Sequence, residues 1–204
     1  MVVNAPRTRM SARERRQRIL DVAVELFASG GYDAVSVGEI AAAADVTKPV
    51  LYDHFASKRD LFVELMETIR DELTARSAET MRADAPLEER VRRTIDAFFA
   101  YVEARPGAAQ VLFVIPRGAP ELVDEMRRVQ DEATAALTAL LASEPRLLAG
   151  ARDRRRRIEL ITEFLKQGMH GLAEWWSRNP AVPRRVVVDA AVGIAWPAVR
   201  SQLR

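Results

Sequence analysis

An all-α protein follows from three features of the sequence. Apolar residues recur at helical spacing through most of the 204 residues. No stretch alternates convincingly with the period of two that a half-buried strand requires. Three times a Ser precedes an acid by three positions just ahead of an apolar run, as Ser11/Glu14, Ser36/Glu39 and Ser57/Asp60. In such a capping box each side chain satisfies an orphan backbone N–H of the first helical turn.

The first helix is expected to start at Ser11, to bury Ile19, Ala23, Leu26 and Phe27, and to stop at Gly30-Gly31. A second, from Ser36, carries Val37, Ile40, Ala41 and Ala44 inward. A third runs from a Thr47 cap to Phe55, with Pro49 in the first turn where a missing N–H breaks no helical bond. A long fourth helix, from Ser57 to about Arg82, carries Leu61, Phe62, Leu65, Met66, Ile69 and Leu73. Beyond the softer stretch 82–86, helices are expected over Leu87–Ala104, Pro120–Ser143, Arg154–Arg178 and Val186–Leu203. In the first of these, Val91, Ile95, Phe98 and Val102 face inward, and Glu88–Arg92 and Glu89–Arg93 pair outside. Val111–Ile115, between two prolines, fits either a buried strand or a helical turn.

Composition excludes several classes of function. There is no Cys, so disulfides, thiolate catalysis and Cys-ligated metals are out, and two His leave little for a metal or a His-based catalyst. His170 has Gln167 three residues before it and Glu174 one turn after it, a pairing read as structural. Neither a phosphate-binding Gly loop nor G-x-S-x-G occurs. No apolar run reaches the roughly 20 residues of a membrane span, and the N-terminus lacks a secretory h-region. A cytoplasmic non-enzyme without metal, cofactor or membrane partner is expected. Net charge is only +2, but Arg7, Arg9, Arg13, Arg15, Arg16 and Arg18 precede residue 19 against the single acid Glu14. They read as a mobile arm over residues 1–10 and a solvated helix face. The Arg154–Arg157 run reads as a solvated helix start.

The informative stretch is 36–58, SVGEIAAAADVTKPVLYDHFASK. It reads as helix, turn (Ala44-Asp45-Val46), helix, with Ile40, Ala41, Val46, Leu51 and Phe55 locking the pair. Such turns favour Gly; Asp45 substitutes because Asp tolerates a left-handed backbone better than most residues.

Ser36, Ile40-Ala41, Ala44-Asp45-Val46, Thr47, Leu51-Tyr52-Asp53-His54-Phe55 and Ser57-Lys58 together resemble the DNA-binding domain of the TetR family of bacterial regulators. The resemblance covers about residues 11–60; Asp45 for Gly and Pro49 where Gly is common are its departures. It implies a three-helix helix-turn-helix domain over 11–58, then a larger helical domain over 59–204 that binds a small-molecule effector and dimerises.

Residue roles follow from chemistry and resemblance together. Lys48, Pro49 and Val50 start the recognition helix, whose first residues meet base edges in the major groove of double-stranded DNA. Lys48 suits guanine O6 or N7, and Pro49 and Val50 offer apolar contact only. Tyr52 and His54 match phosphate-contacting positions, Lys58 adds charge at a helix start, and Ser36 and Thr47 add hydroxyls. In the second domain Phe98, Phe99, Phe113, Met126, Phe164 and Met169 are candidates to line an effector cavity for an apolar or amphipathic ligand. The last two helices are expected to form a homodimer interface, with Val187, Ala190, Ala191 and Ile194 on it and Gly193 permitting close approach. Pro197 removes one helical hydrogen bond there. The expected function is that of a sequence-specific transcriptional regulator, a repressor bound to a palindromic operator and released by its ligand. A ligand-independent regulator or an activator of the same fold is the alternative.

Overall fold

The computed structural model describes residues 10–113 and 119–203, and of Phe113 its backbone only. Arg7 and Arg9 of the expected arm, and residues 114 and 115 of the ambiguous run, lie outside the described residues. The remainder of that run is helical. In order the helices are α1 (Ala12–Gly30), α2 (Val37–Ala43), α3 (Lys48–His54), α4 (Lys58–Met81), α5 (Leu87–Ala104), α6 (Pro106–Phe113), α7 (Val123–Ala142), α8 (Arg154–Ser177) and α9 (Arg184–Arg200). A 3-10 turn over Pro120–Leu122 leads into α7.

Local chemistry explains the starts. Ser11 and Ser36 form reciprocal capping boxes with Glu14 and Glu39. At α4 the box is half made: Ser57 Oγ accepts from the Asp60 N–H (3.0 Å), with no return bond from the Ser57 N–H to the Asp60 carboxylate. Asp is one methylene shorter than the Glu of the full motif. Gly31 ends α1 at φ 77°, and Asp45 takes the left-handed conformation of the α2–α3 turn at φ 57°. Arg154 corrects the solvated reading of its run. Its guanidinium donates to the carbonyls of Ala142, Glu144 and Leu147, satisfying oxygens at and beyond the end of α7.

Two apolar cores organise the chain. The first joins α1–α3 and the first half of α4 to α6 and the start of α7, through residues such as Ile19, Leu51, Phe62, Leu112, Leu122 and Val129. The second gathers α5, α8, α9 and the end of α4, around Phe99, Ile158, Trp176 and Val188. At Gly107 α6 closes on α1: a β-carbon there would lie 3.0 Å from Glu25 Oε1 and 3.3 Å from the Ala28 β-carbon. Arg16 of α1 reaches over the Phe55 ring (4.4 Å) and pairs through both terminal guanidinium nitrogens with Glu64 of α4. The end of α3 is thereby fixed between α1 and α4.

Candidate nucleic-acid interface and ligand cavity

The first constellation is built from helix N-termini. Ser36 and Thr47 are exposed caps; their hydroxyl oxygens accept from the backbone N–H groups of Glu39 (3.2 Å) and Val50 (3.5 Å). Lys48 and Pro49 are exposed in the first turn of α3, and Val50 is half-buried. The Lys48 stem crosses α2 at Gly38, where an added β-carbon would sit 2.8 Å from Lys48 Cε. Glu39 is held below the usual carboxylate range by its hydrogen bonds with Ser36, and the charge of Lys58 adds to this. Ser36, Glu39, Lys48 and Lys58 therefore share one neighbourhood.

Tyr52 is half-exposed, although Leu51 and Phe55 on either side are buried. His54 is half-buried in the last turn of α3. Lys58 is less free than its position suggests. Its ammonium lies 4.3 Å from the Tyr32 ring centre and donates to the Asp33 carbonyl (3.4 Å). Gly38 is the residue that sequence reasoning passed over; its signal was a Gly inside a short helix, which ordinarily costs stability.

The second constellation is a partly open, overwhelmingly apolar cavity of about 160 Å³ between α4, α5, α7 and α8. Leu112 of α6 and Ala195 and Val199 of α9 complete its wall. Phe98 and Met169 line it as expected. The other candidates are placed differently. Phe99, one helical step from Phe98, is fully buried in the second core, edge-on to Trp176 at 5.8 Å. Met126 packs in the first core and borders a separate depression. Phe164 points to solvent with 72% of its surface exposed, so it is no cavity residue. The side chain of Phe113 lies outside the described residues.

Polar groups at the cavity were not foreseen. Arg70, Gln130, Lys166 and His170 line it. Lys166 is buried, and its ammonium is occupied by the Gln130 carbonyl (3.1 Å), Thr134 Oγ1 (2.6 Å) and Glu163 (3.0 Å). Glu163 is held down at about 2, against the desolvation that opposes its charge, by hydrogen bonds from Thr134, Gln167 and Lys166. His170 stacks on Phe98 (6.2 Å, 23°), and burial with the nearby Lys166 charge lowers it to about 4, so it is neutral at pH 7. Lys166 and His170 are four residues apart with Met169 between them, so one face of α8 carries all three.

The outer face of α8 and α9 is the third feature. Of seven large apolar side chains left exposed among the described residues, five lie there: Leu160, Phe164, Trp175, Val186 and Ile194. Ala190 and Gly193 share the exposed face of α9. Val187 and Ala191 do not; they point into the second core, 3% and 1% exposed, which corrects their assignment to an outer interface. No helix of the described residues is long and apolar enough to cross a membrane.

Comparison with known proteins agrees with this arrangement. The family model for bacterial regulatory proteins of the tetR family matches residues 19–65. The model for the tetracyclin repressor-like C-terminal domain matches residues 86–194, more than half of the chain. The transcriptional activator FasR of Mycolicibacterium smegmatis is 27% identical over 190 residues, covering 92% of this chain and 84% of that protein. The regulator AcrR of Shigella flexneri is 51% identical over 63 residues, only 31% of this chain and 29% of AcrR. Among solved structures, the fatty acid degradation regulator FadR of Bacillus halodurans superposes with TM-score 0.76 at 20% identity, covering 88% of this chain and 96% of that one. FadR of Bacillus subtilis in complex with stearoyl-CoA gives TM-score 0.75 at 19% identity over the same shares. At such identities the superpositions speak for the fold alone. With a helix-turn-helix matched at one end and a regulator's C-terminal domain over most of the rest, this chain belongs to the TetR family of DNA-binding transcriptional regulators.

Proposed function

We propose that the protein binds an inverted-repeat operator as a homodimer and loses affinity for it when a small apolar or amphipathic ligand fills the cavity. The observation that carries this reading is the position of Leu112. It lines the cavity, and its helix α6 packs through Gly107 directly on α1 of the reading head. A ligand that displaces Leu112 therefore acts on a helix already in contact with the DNA-binding unit.

A second route runs along α4, which begins at Lys58 beside the reading head and contributes Arg70, Leu73, Thr74, Ser77 and Met81 to the cavity wall. Ion pairs tie it to α7: Arg59–Glu125 (2.6 Å), Glu67–Arg128 (2.6 Å) and Arg70–Glu132. An ion pair in contact with solvent contributes about 0–1 kcal/mol, so a ligand of ordinary affinity is able to shift the more exposed of these. Ligand lowers operator affinity only if it prefers the conformation that fits DNA poorly; a coupling of about 1–3 kcal/mol corresponds to roughly 5–150-fold.

The exposed apolar face of α8 and α9 supports the dimer. Leu160, Phe164, Trp175 and Ile194 are costly to leave in water, and Gly168, Gly171 and Gly193 have open space where a β-carbon would stand, so a partner helix has room to approach. Two recognition helices related by a two-fold axis then sit about 34–36 Å apart on one DNA face. Ligand-driven release relieves repression where the operator overlaps a promoter and withdraws activation where it lies upstream. The relative FasR is named an activator, and both signs are compatible with the one release mechanism. Genome-wide mapping of bound DNA, with and without ligand, tests the reading: inverted repeats lost on ligand addition support it, and binding without sequence preference overturns it.

A further inference from the structure

Gln130 lines the cavity, and among the described residues its side chain carries a buried polar atom with no partner, whose position says something about the ligand. Gln130 Nε2 donates to the Leu112 carbonyl (3.2 Å), which fixes the orientation of the amide, since the reverse orientation would set two oxygens against each other. Gln130 Oε1 is then left buried and without a hydrogen bond among the described residues. A buried acceptor without a donor is an expense that native proteins seldom leave standing.

The residue stands at a junction. A second, more polar depression of about 440 Å³ lies on the other side, bounded by Val123, Met126, Arg127, Gln167 and Glu174. Leu112, Gln130 and His170 line both spaces. Lys166 does not compete for the role, because its three N–H groups are taken by Gln130 O, Thr134 and Glu163. The inner cavity, about 160 Å³, is close to the size that holds a benzene ring in an engineered protein cavity.

Resting on the reading of this cavity as the effector site, we propose that Gln130 selects the ligand. The effector is an amphiphile with a compact apolar body in the inner cavity, a hydrogen-bond donor (an amide N–H or a hydroxyl) at the neck that meets Gln130 Oε1, and its polar remainder in the outer depression. A ligand of equal shape with no donor at that point leaves the acceptor buried and unpaired, and binds about 5–100-fold more weakly.

The test is calorimetric titration of the full-length protein with straight-chain primary alcohols of six to twelve carbons and with the methyl ether of each. The wild type is expected to prefer the alcohol by that factor at the chain length that reaches the neck. Gln130→Met, which keeps the length and removes the acceptor, is expected to abolish the preference while leaving ether affinity unchanged or improved. Equal affinities for alcohol and ether in the wild type overturn the role of Gln130 and leave the effector cavity standing; that comparison needs no variant to fold. A preference that survives Gln130→Met overturns it as well. If neither series binds at any length, the effector reading fails together with it.

Discussion

Lys48 of the recognition helix lies across Gly38 of the helix before it, so closely that a β-carbon at position 38 would come within 2.8 Å of Lys48 Cε. The contact is with the far end of a flexible side chain, so Gly38→Ala moves the ammonium and not the backbone. Ala also removes the cost of Gly within a helix, about 0.5–1 kcal/mol. Gly38→Ala is therefore expected to raise or preserve thermal stability while changing base preference in a selected-oligonucleotide pool. Lys48→Ala is expected to lose about 1–3 kcal/mol of discrimination at the same base positions. If both variants select the wild-type sequence, Lys48 does not read bases.

Tyr52 and Lys58 should behave differently from Lys48. Tyr52→Phe removes a half-exposed hydroxyl and is expected to weaken binding to all duplexes alike. Lys58→Ala is expected to flatten the dependence of log affinity on log salt by about one unit. An unchanged slope would mean that its ammonium stays on Tyr32 and Asp33 when DNA is bound.

Two faces of α9 give opposite outcomes for one kind of substitution. Ile194→Asp is expected to yield folded monomers by light scattering and circular dichroism, and to lose operator binding. Phe164→Asp on α8 should do the same. Val187→Asp buries a charge within the subunit and is expected to unfold it, at a cost of several kcal/mol. A dimer that survives both Ile194→Asp and Phe164→Asp moves the interface elsewhere.

Phe98 and Phe164 separate in the same manner for the ligand. Phe98→Ala enlarges the cavity wall and is expected to change ligand affinity. Phe164→Ala should leave it unaltered at protein concentrations that maintain the dimer. By reciprocity, operator DNA must weaken ligand binding by the factor through which ligand weakens operator binding. Titrations with and without operator that give one affinity would exclude induction by that ligand.

Stability should fall in mild acid. The pKa of His170 is lowered in the fold to about 4 from 6.5, chiefly by burial. Above pH 6.5 folded and unfolded chains are both neutral there and the full stability is present. As pH falls from 6.5 towards 4, the unfolded chain takes up a proton that the folded chain refuses, and on the order of 3 kcal/mol is lost. Glu163, lowered to about 2, extends the loss from about 4.5 down to that value. Urea titrations between pH 7.5 and 4 should show the first step in the wild type and its absence in His170→Phe.

How far the sequence discloses this molecule depends on how local each determinant is. The limits of α5 were legible because Pro86 stands at its N-cap and the stripe Val91, Ile95, Val102 lies within it. The reading head was legible because its caps, turn and anchors fall within 23 consecutive residues. The choice between Phe98 and Phe99 was not, since adjacent residues stand about 100° apart and a stripe defines a face, not a cavity. Phe164 looks internal by composition, and only the packing of α7 and α9 against α8 shows which side is covered. Arg92 fits an i,i+4 pair with Glu88, yet its guanidinium bonds Asp189 of α9 at 2.8 Å, a partner 97 residues away. Glu89–Arg93 forms as expected.

The division of the apolar interior into two cores governs how the molecule comes apart. The reading head has no interior of its own: Ile19, Leu51 and Phe62 share theirs with Leu112 and Val129. Amides of α1 and α3 should therefore exchange with deuterium in one opening event with those of α6 and early α7, rather than separately at residue 58. Leu112 belongs to that unit and also faces the cavity. A compound seated there and absent from the opened form slows the event by mass action. The ligand then shields from exchange a set of amides at the DNA-facing end that it never touches.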